Sequence, residues 1–189
     1  MSDQNPTHLY VKSPMGKQFI RYKGVWDMDD LYKKMADWFR QRKYNFYEKV
    51  YKHKAPSPFG KERQYVWSAI RKEEDYYLFE IDIYMHTYDA EDVEIKNTDG
   101  TSKIMTKGRI WIEFDGRVIF DYEKRWEESR FYAHLRNFYN KYVIKKRIEH
   151  ILWDILWYRE IQKLHELVAD TLNLYSKEHE HRYWTGVHQ

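Results

Sequence analysis

Residues 77–88 of this 189-residue chain are YLFEIDIYMHTY, and this stretch decides the fold class. Apolar side chains occupy every second position: Phe79, Ile81, Ile83 and Met85. Polar or amphipathic side chains alternate with them: Glu80, Asp82, Tyr84 and His86. Because successive side chains of a strand point to opposite faces, the alternation predicts a strand in a sheet with one buried face.

Similar patterns on both sides extend the sheet. Val93 and Ile95 continue the alternation up to a turn at residues 97–100. The other predicted strands are residues 18–23, 44–54, 63–72, 110–114 and 118–122. Asp115-Gly116 is a dipeptide typical of two-residue hairpin turns, so we expect the last two of these strands to pair through it. The sequence thus predicts about seven strands, mainly antiparallel.

Helical periodicity flanks the strand region. Asp27 is a good N-cap for a helix over residues 28–42. From Glu127 onward the pattern is helical, and its first apolar stripe is Phe131, Leu135, Phe138 and Tyr142. We expect this stripe to face the core, with Arg and Lys side chains toward water. A second stripe follows: Ile148, Ile151, Leu152, Ile155, Leu164, Val168, Leu172 and Tyr175. A break near residues 143–147 and a single bent helix remain alternatives.

These elements predict one α+β domain over residues 17–178. A curved, mainly antiparallel sheet would carry the N-terminal helix and the long C-terminal helices on one face. Residues 1–16 are expected to form a flexible lead-in, and residues 179–189 a polar tail.

Composition narrows the function classes. The chain has no Cys, which excludes disulfides, thiolate nucleophiles and Cys-based zinc sites. Its 7 Gly form no phosphate-binding loop, and no Ser lies in a nucleophile-elbow context, so we lean against an enzyme and expect no cofactor. The N-terminus lacks a signal-peptide layout and no apolar run reaches the ~20 residues of a membrane span, which predicts a cytoplasmic protein.

The polar row Glu80, Asp82, Tyr84 and His86 offers carboxylates beside a His. Such groups can carry acid–base chemistry, but an exposed polar sheet face explains them better. His179, His181 and His188 lie in the polar tail, where we expect no metal site.

Two further patterns predict binding. Basic and aromatic residues interleave in the first C-terminal helix and at the break, as in proteins that hold single-stranded RNA. The nucleic-acid candidates are Arg130, Tyr132, Arg136, Lys145, Lys146 and Arg147. A cavity between sheet and helices for a small apolar ligand is the other alternative. Its candidate lining is Phe79, Ile81, Ile83, Met85 and Trp111.

Aromatic residues make up 19% of the chain, more than a core of this size requires. Trp153 and Trp157 lie on one face of the last helical region, which makes them interface candidates. The leading hypothesis is therefore a non-catalytic binding or self-assembly module, with a homo-oligomer as the expected state.

Three segments carry a resemblance: YKGVWD at residues 22–27, DYEKRWE at residues 121–127 and LRNFYNKY at residues 135–142. Together they resemble a family of short uncharacterised archaeal proteins from environmental genomes. The resemblance implies an archaeal, intracellular setting and supplies no activity or catalytic residue. The element order also resembles a helix-grip fold, in which a curved sheet wraps a C-terminal helix. This chain departs from that pattern in having one helix after the first strand, and a longer C-terminal region.

Overall fold

The computed structural model describes residues 10–57, 60–96 and 102–174. The strands are β1 (Tyr10–Lys12), β2 (Gln18–Trp26), β3 (Asn45–Ser57), β4 (Gly60–Lys72), β5 (Tyr77–Lys96) and β6 (Ser102–Phe120). The α-helices are α1 (Met28–Gln41), α2 (Arg130–Phe138), α3 (Lys145–His150) and α4 (Lys163–Thr171). Two π-helical stretches complete the elements of the described residues: Tyr139–Val143 continues α2, and Ile151–Gln162 joins α3 to α4.

The six strands form one curved, unclosed antiparallel sheet, which confirms the α+β class. β6 is the organising strand, because it pairs with β5 on one side and with both β1 and β2 on the other. β4 and then β3 extend the sheet beyond β5. Since β1 pairs with β6, the sheet begins at Tyr10, inside the segment expected to be a loose lead-in.

Alternation along β5 and β6 separates a core face from an outer face. On the core face Phe79, Ile81 and Ile83 are fully buried under the helices, as the sequence predicts. On β6, Val118 lies opposite Phe79 and Phe114 lies opposite Ile83, and both are fully buried. Their burial is the main source of stability, at about 1.5–3 kcal/mol for each large apolar side chain.

The predicted hairpin turn at Asp115-Gly116 is wrong, because both residues lie in the middle of β6. Gly116 is opposite Ile81 on β5, under the C-terminal helical region. A Cβ atom at Gly116 would lie 2.4 Å from Cδ1 of Ile161. The glycine therefore lets helix and sheet approach closely, and two predicted strands are one.

α1 begins and ends close to the predicted bounds. Asp27 caps it, since its carboxylate accepts a hydrogen bond from the backbone N–H of Asp30 at 3.0 Å. Leu31, Met35 and Phe39 are fully buried. Burial of this stripe fixes α1 against the core face of the sheet.

The C-terminal region has a break at Ile144, whose φ of −106° and ψ of 14° leave the helical range. The segment from Lys145 to Thr171 then lies along the core, and most of the predicted second stripe is buried. Tyr175 lies outside the described residues. In the π-helical stretch the fully buried positions are Leu156 and Ile161, five residues apart, whereas Ile155 of the predicted stripe is only partly buried. A π-helix turns more slowly than an α-helix, and this shifts the buried face.

Candidate interaction surface

α2 packs on the domain with its polar side inward. Arg136 and Asn140 are buried, whereas the apolar stripe predicted from the sequence faces outward. We call these four residues the α2 stripe: Phe131, Leu135, Phe138 and Tyr142. Their exposed fractions are 72%, 40%, 56% and 65%. The prediction that this stripe faces the core, with charged side chains toward water, is therefore wrong.

Arg136 holds α2 to the turn that follows β6. Its Nη1 donates to Oδ2 of Asp121 at 3.2 Å and to Oε1 of Glu127 at 3.4 Å. Asp121 is almost completely buried and adopts a left-handed backbone with φ of 51°, directly after the last residue of β6. It also accepts the backbone N–H of Trp126 at 3.3 Å. The buried charge is thus paired on two sides, as burial of a guanidinium requires.

Asn140 makes the second polar contact. Its side-chain oxygen accepts a hydrogen bond from the hydroxyl of Tyr76 at 2.5 Å, just before β5. Tyr139 stacks on Trp126 with ring centroids 6.3 Å apart and nearly parallel planes. Burial, as the main cause, raises the pKa of Tyr76 above its ordinary value, so the hydroxyl remains a donor throughout the neutral range. These contacts orient α2 with the stripe toward solvent.

Ser129 begins α2 as its N-cap. The Ser129 hydroxyl accepts the backbone N–H of Tyr132 at 3.2 Å. At the other end, Arg147 donates to both carboxylate oxygens of Glu74, at 2.5 and 2.7 Å. The helix that carries the stripe is therefore capped at its start and followed by a tether to the β4–β5 connection.

The nucleic-acid candidates differ in their burial and in their ion pairs. Arg136 is buried in its ion pairs and Arg147 is paired with Glu74. Arg147 is nevertheless exposed, as are the other four candidates: Arg130, Tyr132, Lys145 and Lys146. The structure therefore leaves a smaller basic set on the solvent side than the sequence predicts.

The cavity candidates fall on opposite faces of the sheet. Four of them are packed in the core at no more than 1% exposure: Phe79, Ile81, Ile83 and Met85. Trp111 lies on the outer face, because its neighbours Ile110 and Ile112 point to the core. The structure does not bring the five together around one space.

The two interface candidates differ in their exposure to solvent. Trp153 is about half exposed, whereas Trp157 is partly buried against the core. Tyr158, which sequence reasoning did not single out, is more exposed than either. The alternation of exposed and buried rings follows from the π-helical turn in this segment.

The carboxylate row on the outer face forms an ion-pair network. Arg117 donates to Glu80 at 2.8 Å and to Asp82 at 2.6 Å, and Lys49 lies 3.5 Å from Asp82. His86 is buried instead, with its Nδ1 3.2 Å from the hydroxyl of Tyr84. Both carboxylates are engaged by cations, which is typical of a structural network on a sheet face.

Sequence reasoning did not identify Asp121 or Tyr76, the two residues that orient α2. A local indication exists for Asp121 alone, since Asp follows a strand and precedes the turn residues 122–129. His179, His181 and His188 lie outside the described residues. Within residues 10–57, 60–96 and 102–174, no group of three or more His, Asp or Glu side chains could hold a metal ion.

The helices in these same ranges are too short or too polar to cross a membrane. No family model matches the chain, and no curated protein matches it.

Proposed function

We propose that the protein is a non-catalytic assembly module in which the α2 stripe of one copy docks on the α2 stripe of a second copy. The observation that carries the proposal is the reversed orientation of α2, with Arg136 buried and Phe131 and Tyr142 exposed. Contiguous exposed apolar surface on a capped, tethered helix is typical of an interaction site. The polar contacts of Arg136 and Asn140 stabilise this orientation in the single chain.

The spacing of the stripe favours a second copy as the occupant. Its residues are separated by four, three and four positions, so the pattern is the same in both directions. Two such helices packed antiparallel around a twofold axis would place Phe131 against Tyr142 and Leu135 against Phe138.

The energetics fit a reversible dimer. The stripe residues are about half exposed in one copy. At 1.5–3 kcal/mol per fully buried side chain, covering them in two copies contributes roughly 6–12 kcal/mol. Association itself costs ~4–15 kcal/mol. A micromolar dimer requires a net gain of ~8 kcal/mol, which these ranges reach only at their favourable ends, so we expect a weak dimer that dissociates on dilution.

Cysteine cross-linking tests the occupant and its direction, and the absence of native Cys gives a clean background. The double variant Phe131→Cys/Tyr142→Cys should form a disulfide-linked dimer under mild oxidation. The single variant Phe131→Cys should not, because an antiparallel pair separates the two sulfurs by about 16 Å along the helix.

Each outcome of the cross-linking decides a point. Linkage of the double variant alone supports the antiparallel pair. Linkage of Phe131→Cys by itself would indicate parallel helices and contradict the proposed symmetry. If neither variant forms a linked dimer at concentrations of tens of micromolar, the stripe does not bind a second copy, and the proposed assembly function is wrong.

A further inference from the structure

The outer face of the sheet, away from the helices, contains a pocket of about 470 Å³ between β2, β6 and β5. Its chemistry comes from three cations and two rings: Arg21, Lys23, Arg109, Tyr88 and Trp111. The volume is in the range of sites for small organic ligands, about 300–1,000 Å³, and exceeds what one phosphate group fills. The pocket is separate from the α2 stripe and does not depend on assembly.

Strand register brings these side chains together. Arg21 on β2 pairs with Trp111 on β6, and Lys23 pairs with Arg109 two positions away. Arg109 in turn pairs with Tyr88 on β5. Residues two positions apart on a strand share a face, so the three cations and the two rings occupy two adjacent rows of the outer face.

The cationic wall keeps a surplus of positive charge. Arg109 donates to Asp89 at 3.0 Å from its Nε, which offsets one charge. Arg21 and Lys23 are exposed, and within the described ranges neither makes an ion pair. The guanidinium of Arg21 lies 4.0 Å from the ring centroid of Trp111. Its donors are thus held beside a flat apolar surface and are available to an anion.

The aromatic wall is supported from beneath. The ring of Tyr88 lies 3.8 Å from that of His86, which is buried. His86 is fixed by Tyr84 at 3.2 Å and by Gln64 at 3.3 Å. Because these neighbours already fix the side chains, little of their conformational entropy is lost when a ligand ring enters the pocket.

We propose that this pocket binds a nucleotide, with the planar base against Trp111 or Tyr88 and the phosphate against Arg21 and Lys23. Rings stack on bases whatever their sequence, and guanidinium groups match phosphate oxygens in pairs. The nucleotide is either free or one unit of a single-stranded nucleic acid. Both present the same base and phosphate to the pocket.

The test is a titration of the ¹⁵N-labelled protein, followed by NMR through the indole N–H signal of Trp111. Trp111→Phe identifies that signal among the 8 Trp of the chain. The probes are ADP, adenosine, inorganic phosphate and a uridine decamer. We expect ADP to shift the Trp111 signal, and adenosine or phosphate alone to bind at least about tenfold more weakly, because each offers half of the contacts.

A pair of double variants tests the cations. Arg21→Ala/Lys23→Ala should weaken ADP binding roughly tenfold or more, since charge-assisted contacts to phosphate are lost. Lys33→Ala/Lys52→Ala removes the same charge from α1 and β3, outside the pocket, and should change binding less than about twofold. Circular dichroism of both variants establishes that they are folded.

The same titration distinguishes a free nucleotide from a single-stranded nucleic acid. A decamer that binds more tightly than ADP, with a steep salt dependence, assigns the pocket to a nucleic-acid strand. Binding of ADP without tighter binding of the decamer assigns it to a free nucleotide. The inference is overturned if neither probe shifts the Trp111 signal at about 1 mM, or if both double variants bind ADP like the wild type.

Discussion

The guanidinium of Arg136 lies 3.2 Å from the carboxylate of Asp121, and both side chains are almost completely buried. This pair joins α2 to the end of β6 across 15 residues of sequence. A buried ion pair contributes little net stability by comparison with an apolar contact, but it strongly favours one arrangement. Here the arrangement is the one that turns Phe131 and Phe138 outward.

Removing Asp121 should therefore destabilise the protein far more than an average surface change. Asp121→Ala leaves the charge of Arg136 buried without its main partner, which costs about 3–5 kcal/mol. Urea unfolding followed by circular dichroism measures the loss. Glu128→Ala, an exposed change just before the N-cap of the same helix, is the control and should have little effect. A wild-type midpoint for Asp121→Ala would show that the pair does not hold α2.

A side chain at Gly116 should require Ile161 to move, and Ile161 is fully buried. Gly116→Ala places a methyl group 2.4 Å from Cδ1 of Ile161, so we expect a loss of about 1–3 kcal/mol from overpacking. Ile161→Val removes Cδ1 and should partly relieve the penalty in the double variant, which a double-mutant cycle reports as coupling. Strict additivity of the two changes would contradict the close approach of helix and sheet at this point.

His165 should make stability depend on pH. Burial beside Phe114 lowers the pKa of His165 below its ordinary value of 6.5. His165 is therefore protonated in the unfolded chain at pH values at which it is still neutral in the folded chain. The free energy of unfolding falls as the pH drops below about 6.5, until the lower pKa of the folded state is reached. The free energy of unfolding, measured between pH 7.5 and 5 (about the range in which His titrates), should fall less steeply in His165→Gln than in the wild type.

His134→Gln, on the exposed side of α2, gives the background for losing one histidine. If His165→Gln and the wild type show the same slope, the burial of His165 has no energetic consequence and this part of the account is wrong.

Arg117 should contribute to stability through the outer-face network. Arg117→Ala leaves Glu80, which is mostly buried, without its closest charge partner, and we expect a cost of about 1–3 kcal/mol. Arg125→Ala removes an exposed pair with Glu123 and should leave the unfolding midpoint unchanged. Equal effects of the two changes would mean that the network on Glu80 and Asp82 is as loosely held as a surface pair.

Local patterns predicted the elements whose burial follows a simple period. β5 alternates strictly from Phe79 to Met85, and α1 has both an N-cap at Asp27 and an α-helical stripe, so their faces could be assigned without tertiary information. Asp115-Gly116 led to a wrong turn prediction because glycine occurs both in turns and where two elements approach closely. Turn formation is visible in the sequence, whereas the proximity of Ile161, 45 positions later, is not.

The orientation of α2 was beyond sequence reasoning for a physical reason. An apolar stripe predicts burial unless polar contacts outweigh it. Here the contacts come from Asp121 and from Tyr76, which is 64 residues from Asn140. Each partner is an ordinary residue in its own segment. The proposed nucleotide pocket is similar, because Arg21, Trp111 and Tyr88 meet only through strand register.

The most direct test of the central claim is the molar mass in solution by size-exclusion chromatography with light scattering, over a dilution series through tens of micromolar. The wild type should move from dimer to monomer on dilution. Leu135→Glu/Phe138→Glu should remain monomeric, because it places charge in the centre of the α2 stripe. Tyr47→Glu, an equally exposed ring on β3, should behave like the wild type. A wild type that is monomeric throughout, or a dimer that survives Leu135→Glu/Phe138→Glu, would contradict the account.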